Sequence, residues 1–329
     1  MVSIKDVAKE AGVAISTVSK VIKSYPGVSE DTRKKVQEAI TKLGYVPNAA
    51  AAALSSKGAS RIALIVGINK QTAAAHEIDI QYLSGALAKA QEMGFEVITV
   101  FREMLVGKKP DEVVRYFESQ NVGGIIIYCL SKNDKLMHSL INQEKFKKVL
   151  VDAPLYKDDT SAVWIDQEKA QYEVAKKTFN GHKINKILYL SGSMDGYVTE
   201  ERIKGIKRLA EEKKVGLTVK EGNFSEKRAR EITLKDGKKY DLIVCGSDMM
   251  AIGAMRALIE LDIFRPVSGF DGISLMGYAG KQMNTVKQDF YQLSEEAISE
   301  MARLLSGEKG RRVIVPHKLV RLTYEDVLT

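Results

Sequence analysis

Residues 4–22 read IKDVAKEAGVAISTVSKVI. Val7 and Ala8 fit one face of a short helix, and Val18, Val21 and Ile22 fit one face of a second. Between them stands Ala11-Gly12-Val13, where glycine can take the left-handed conformation that reverses a chain within a few residues. Two short helices joined in this way form a helix-turn-helix. The outward face of the second helix carries Ser16, Thr17, Ser19, Lys20 and Lys23, all donors to phosphates and base edges. On these residues alone, a DNA-reading helix and an ordinary helical hairpin with a solvated polar face both stand.

Working outward, Val28-Ser29-Glu30-Asp31-Thr32-Arg33 opens a third helix. Ser29 is a good N-cap, and Glu30 and Asp31 sit where the helix dipole favours negative charge. Val36, Ile40 and Leu43 follow at helical spacing, and Gly44 ends the run. Next come Tyr45-Val46-Pro47-Asn48, five alanines from Ala49 to Ala53, Leu54 and Ser55-Ser56-Lys57-Gly58.

The blocks DVAKEAGVAISTVSKVI and VSEDTRKKVQEAITKLGYVPN, with Leu54 before SSKG, resemble the LacI/GalR family of bacterial transcription regulators. The resemblance implies a head over residues 1–45 that reads the major groove with Ile15, Ser16 and Lys20, with Thr17 and Ser19 on the same DNA-facing helix. It implies a hinge helix over 46–60 whose Leu54 wedges between base steps in the minor groove. By spacing alone the alanine run is a flexible tether, since so short a helix is marginal in water. Where the family often has a polar residue in this segment, the chain has only alanine, and Ala14 replaces a usual serine.

Composition agrees. The chain has 329 residues, enough for two or three domains, 45% of them hydrophobic, and a net charge of +8. Residues 1–60 hold nine Lys/Arg against five Asp/Glu, a net +4, which is a modest basic head. Cys129 and Cys245 each stand inside an apolar run without CxxC spacing and read as buried free thiols of a reducing compartment. The N-terminus has no apolar signal-type segment and no stretch is long enough to span a membrane, so the expected location is the cytoplasm.

From Arg61 the texture changes to alternating strands and helices. Apolar runs at 62–66, 96–101, 124–128, 149–152, 162–165, 187–190, 217–219 and 242–245 alternate with helical patterns, which predicts parallel sheets covered by helices on both faces. The fold class is therefore α/β with an all-α head. The resemblance makes the core a two-lobed unit like the periplasmic sugar-binding proteins, with lobes expected at about 61–158 and 159–285. The tail 286–329 would cross between them, with one late strand at Val313–Leu319.

In open α/β sheets ligands sit beyond the carboxyl ends of strands. Asp152, Asp248 and Asp271 follow apolar runs; Arg202 follows the loop 192–196, and Phe224 follows Glu221-Gly222-Asn223. Each has a duller reading: N-cap for Asp248, surface helix for Arg202, core for Phe224. The later blocks RIKGI, CGSDMMAIGAM, VSGFDG and NTVKQDF also match the family. They imply that Asp152, Arg202, Phe224, Ser247 and Asp271 contact a small effector. Carboxylates and an arginine clamping hydroxyls, with an aromatic ring against an apolar sugar face, suit a saccharide. Segment 69–72 lacks the family's aromatic pair, which leaves His76, Glu77 and Asp79 as further candidate liners.

No GxxxxGK[ST], HExxH, GxSxG or dinucleotide fingerprint occurs, and the four histidines show no metal spacing. No cofactor, metal or catalysis is expected. The expected partners are a second copy of the chain, a pseudo-palindromic operator and a saccharide. The alternatives are a sugar-binding transport protein, and a regulator whose effector is a corepressor, purine-like or a phosphoprotein.

Overall fold

The computed structural model describes residues 2–22, 27–45, 61–67, 73–279 and 282–322, with side chains of the helix that opens at Ala73 described from Glu77. The chain divides into two compact units, Met1–Ala59 and Ser60–Thr329.

The first unit contains helices Ile4–Ala11, Ile15–Ile22 and Glu30–Leu43. Asp6 accepts from the backbone N–H and hydroxyl of Ser3 (2.8 and 2.7 Å), which fixes the first turn. Gly12 and Gly44 end their helices in the left-handed region (φ 65° and 58°). Val7, Ala8, Val18, Val21, Val36 and Ala39 form a small buried core, with Ile22, Ile40 and Leu43 packed against it. Lys42 reaches Glu10 at 2.6 Å, a surface pair of small energetic weight. The hinge-helix expectation over 46–60, Leu54 included, lies outside the described residues, as does Lys23.

The second unit holds two six-stranded sheets. The first has β1 (Arg61–Val66), β2 (Glu96–Phe101), β3 (Val122–Tyr128), β4 (Lys147–Val151), β5 (Thr160–Trp164) and β11 (Arg312–Ile314), in the order β11-β5-β4-β3-β1-β2, all parallel. The second has β6 (Lys186–Ser191), β7 (Gly216–Glu221), β8 (Leu242–Cys245), β9 (Val267–Ser268), β10 (Asn284–Lys287) and β12 (Lys318–Arg321), in the order β12-β10-β9-β8-β6-β7, with β12 alone antiparallel. Continuous apolar runs such as Ile62–Val66 and Leu242–Cys245 are buried throughout, as parallel strands covered on both faces require.

Two expectations are corrected. A lobe boundary at 158/159 places the strand near Ala162 in the second lobe. Its register, Lys148↔Thr160 to Val151↔Val163, puts β5 in the first sheet. The first crossing comes after Trp164, where the chain enters helix Gln167–Phe179 and packs on helix Tyr197–Lys213. The second crossing follows β10, and helix Phe290–Leu305 then covers β3, β4 and β5 of the first lobe. The expected single strand Val313–Leu319 is two strands, β11 in the first sheet and β12 in the second. Pro316, which has no N–H to give a ladder, lies at the break, so this segment is the third crossing.

Candidate functional site

A cavity of about 430 Å³ lies between the two lobes, at the carboxyl ends of their parallel strands. The five expected effector residues, Asp152, Arg202, Phe224, Ser247 and Asp271, all line it.

Asp152 follows β4 with a left-handed backbone (φ 61°), and its N–H bonds to Val163 O at 3.0 Å. Its carboxylate accepts from Tyr82 Oη at 2.6 Å and from Gln167 Nε2 at 3.2 Å. Burial raises its pKa, opposed by the Tyr82 hydroxyl and Arg202.

Arg202 stands in helix Tyr197–Lys213, where it is 4% exposed rather than on the surface. Its Nε donates to Gln167 Oε1 (2.8 Å) and its Nη1 to Gly246 O (2.6 Å). The guanidinium carbon lies 3.7 Å from the centre of the Phe270 ring. Asp271 (φ 121°) approaches Nη1 at 3.7 Å and accepts from Gln288 Nε2 at 3.0 Å. Burial pushes the Asp271 carboxyl up, with Arg202 opposing and Asp248 adding.

The N-cap reading of Asp248 is corrected by one position. Ser247 caps helix Asp248–Glu260, accepting from Met250 N at 3.3 Å. Asp248 is fully buried and accepts from Gly272 N (2.7 Å), Ile273 N (2.9 Å) and the Thr285 hydroxyl. It thereby pins the loop that presents Asp271. Phe224 (φ 55°) lies over Gly192, where a Cβ would stand 2.0 Å from the ring.

Cys129 departs from expectation. Its left-handed backbone at the end of β3 (φ 51°) turns it out of the core, and it lines the cavity as an exposed residue. Cys245 is buried as expected, and neither cysteine is in a disulfide.

Asp79 lines the cavity, Glu77 does not, and the His76 side chain and segment 69–72 lie outside the described residues. Glu77 instead accepts from Ser274 N (3.1 Å) and Oγ (2.9 Å), tying the first lobe to the second. At the cavity edge, Ser131 Oγ donates to Asp195 Oδ2 and Lys132 N donates to Asp195 O at 2.9 Å.

Sequence reading missed Arg102, Tyr82, Tyr197, Gln288 and Phe290 among the liners. Arg102 directly follows β2 and falls under the same strand-end rule as Asp152. It donates to Tyr128 O (2.6 Å) and Cys129 O (3.0 Å). The others come from helices or a crossing segment and leave no local signal. Tyr82 packs against Tyr128 in a tilted pair and edge-on against Phe290, with centroids 4.8 and 5.2 Å away, and Tyr82 and Phe290 both line the cavity.

In the first unit, Ile15 is 45% exposed despite being a large apolar residue, and Ser16 and Lys20 are exposed beside it. Thr17 and Ser19 are half-buried, and Val18 between them is buried. One turn of helix thus presents an apolar contact and polar donors to the outside. Among the described residues no cluster of three or more His, Cys, Asp or Glu could hold a metal ion, and no helix is long and apolar enough to cross a membrane.

Residues 3–48 match the model of bacterial regulatory proteins, lacI family, and residues 30–309 match the periplasmic binding protein domain. The HTH-type transcriptional regulator AscG of Escherichia coli K12 is 28% identical, covering 93% of each chain. The HTH-type transcriptional repressor PurR of Vibrio vulnificus is 28% identical, covering 96% of each. The same fold occurs in a lac repressor dimer bound to operator and the anti-inducer ONPF (TM-score 0.81, 23% identity, 98% of each chain). It occurs again in the transcriptional regulator CelR in complex with cellobiose (TM-score 0.71, 24% identity, 98% of this chain and 100% of that one). With a helix-turn-helix head, a two-lobed periplasmic-binding-protein core and relatives matched along nearly their whole length, the chain belongs to the LacI family of bacterial regulatory proteins and is a DNA-binding transcription regulator, not an enzyme.

Proposed function

We propose that the chain is a homodimeric repressor whose operator affinity is set by a saccharide held in the cleft between its lobes. The observation that carries this reading is the cleft itself. Asp152, Asp271 and Arg202 converge on one cavity that the aromatic rings of Phe224, Tyr82 and Phe290 also line. Carboxylates and a guanidinium bond to hydroxyls, while aromatic rings cover the apolar face of a pyranose.

On the DNA side, Ile15, Ser16 and Lys20 meet base edges, Thr17 and Ser19 support the backbone contact, and Leu54 enters the minor groove. A single head reads a half-site, so useful affinity calls for two heads on a pseudo-palindrome. The lac repressor dimer bound to operator supports this assembly by fold likeness. A purine corepressor is the second reading, favoured by the PurR relatives.

A thermal-shift screen with cellobiose, lactose, glucose 6-phosphate, hypoxanthine and guanine tests the class. Stabilisation by a sugar that also releases the protein from operator fragments is the expected result. Stabilisation by a purine alone, with tighter operator binding, would replace the saccharide and reverse the sign.

A further inference from the structure

Gln167 takes part in both charged halves of the cleft although it does not line the cavity. It is the first residue of helix Gln167–Phe179, three positions past the end of β5 and thus at the first crossing between lobes. It is 2% exposed. Its amide nitrogen donates to Asp152 of the first lobe (3.2 Å), and its amide oxygen accepts from Arg202 Nε of the second (2.8 Å). An uncharged group that both donates and accepts is needed here: an acceptor alone would face the Asp152 carboxylate, and a donor alone would face the guanidinium.

The backbone beside it is held to the second lobe. Gly205 of helix Tyr197–Lys213 packs so closely that a Cβ there would lie 2.3 Å from Glu168 O. The Asp152–Gln167 hydrogen bond therefore joins one lobe to a fixed point on the other. With Nε held by Gln167 and Nη1 held by Gly246 O, the orientation of the Arg202 guanidinium toward the cavity is set.

We infer that Gln167 is a positioning residue, which aligns Asp152 and Arg202 across the hinge and ties the two lobes together. That this alignment serves an effector rests on the function proposed above; the tie between lobes does not, and its test uses neither effector nor operator.

The chain supplies its own reporter. Its one tryptophan, Trp164, is 5% exposed at the end of β5. It forms a wall of a separate cavity of about 330 Å³ behind the hinge, with Glu201 and Arg208 of the second lobe among the other walls. A change in lobe arrangement alters this surround and the access of a quencher to the indole.

The experiment is acrylamide quenching of Trp164 in the full-length protein. Gln167→Met keeps nearly the same shape and removes both hydrogen bonds; quenching is expected to rise about two-fold or more, with the far-UV circular dichroism unchanged. Gln167→Glu adds a pH readout. When protonated, the carboxyl still donates to Asp152 and accepts from Arg202, so quenching matches the wild type. When ionised, it repels Asp152, and quenching rises with pH across the titration. The charged groups facing position 167 are Asp152 and Arg202 toward the cleft, with Asp166, Glu168, Lys169, Glu201, Arg208 and Arg312 behind. Tyr82 donates its hydroxyl to Asp152 from the far side.

A residue that merely fills space would leave Gln167→Met at the wild-type value and give Gln167→Glu no pH dependence; either result overturns the inference. Should Gln167→Met not fold, the pH profile of Gln167→Glu decides alone.

Discussion

Arg202 Nη1 and Asp271 Oδ1 lie 3.7 Å apart, close enough to attract and too far for a hydrogen bond. Both groups thus keep bonding capacity for a third party in the cavity. Asp271→Ala is expected to weaken binding of the effector about ten-fold, since a buried hydrogen-bonding partner of the effector is lost. Operator binding without effector should stay within about two-fold, because an effector acts only by preferring one lobe arrangement. Operator shifts with and without the stabilising compound measure both. Equal loss of effector and operator binding would show that Asp271 holds the fold instead.

The same residue predicts a pH dependence. Burial raises the Asp271 carboxyl above its ordinary range, so the folded chain holds this proton more tightly than the unfolded chain. That contribution is complete below the ordinary carboxylate pKa and is lost as pH rises through the folded value. Between about pH 4 and 8 the wild type should therefore lose melting temperature relative to Asp271→Asn. A wild type that gains on the variant over this range would mean that pairing with Arg202 outweighs burial.

Gly192 and Phe224 form a steric pair. A Cβ at 192 would stand 2.0 Å from the ring, so Gly192→Ala must move a side chain that lines the cavity. Overpacking of this kind costs about 1–3 kcal/mol. The expected outcome is a lower melting temperature together with a change in which compounds stabilise the protein in a thermal-shift panel. An unchanged panel would place Phe224 outside the ligand contacts.

In the head, Lys20→Ala should cost about 1–3 kcal/mol on the operator and relax preference at one base pair. Ile15→Ala should lose less and affect a thymine-bearing position. Titrations on operator and random DNA at two salt concentrations separate the cases. Equal loss on both DNAs with a shallower salt slope would make Lys20 a phosphate contact.

Residues 1–59 and 60–329 form separate compact units, each with its own buried apolar clusters. Removal of residues 1–60 should leave a folded core with the same thermal-shift response. Size-exclusion chromatography is expected to show it as a dimer. A core that melts broadly or runs as a monomer would assign folding or assembly to the head.

The local pattern of the sequence determined the three-helix head, because its caps and turn are short-range chemistry: Ser29 and Gly44 act within four residues of themselves. It determined the alternation of parallel strands and helices, because fully buried strands are continuous apolar runs. It reached Asp152, which follows β4 directly, and Asp271, three residues past β9. It did not decide which sheet a strand joins. The run at Thr160–Trp164 reads the same in either lobe, and only its pairing with β4 places it in the first. Val313–Leu319 looked like one strand until Pro316 and two partners on different sheets divided it. Nor could spacing find Tyr82 or Gln167, since each meets Asp152 through side-chain contacts 70 and 15 residues distant along the chain. Such contacts arise when helices from separate crossings pack against the ends of strands, and neither periodicity nor capping encodes the packing of one element on another.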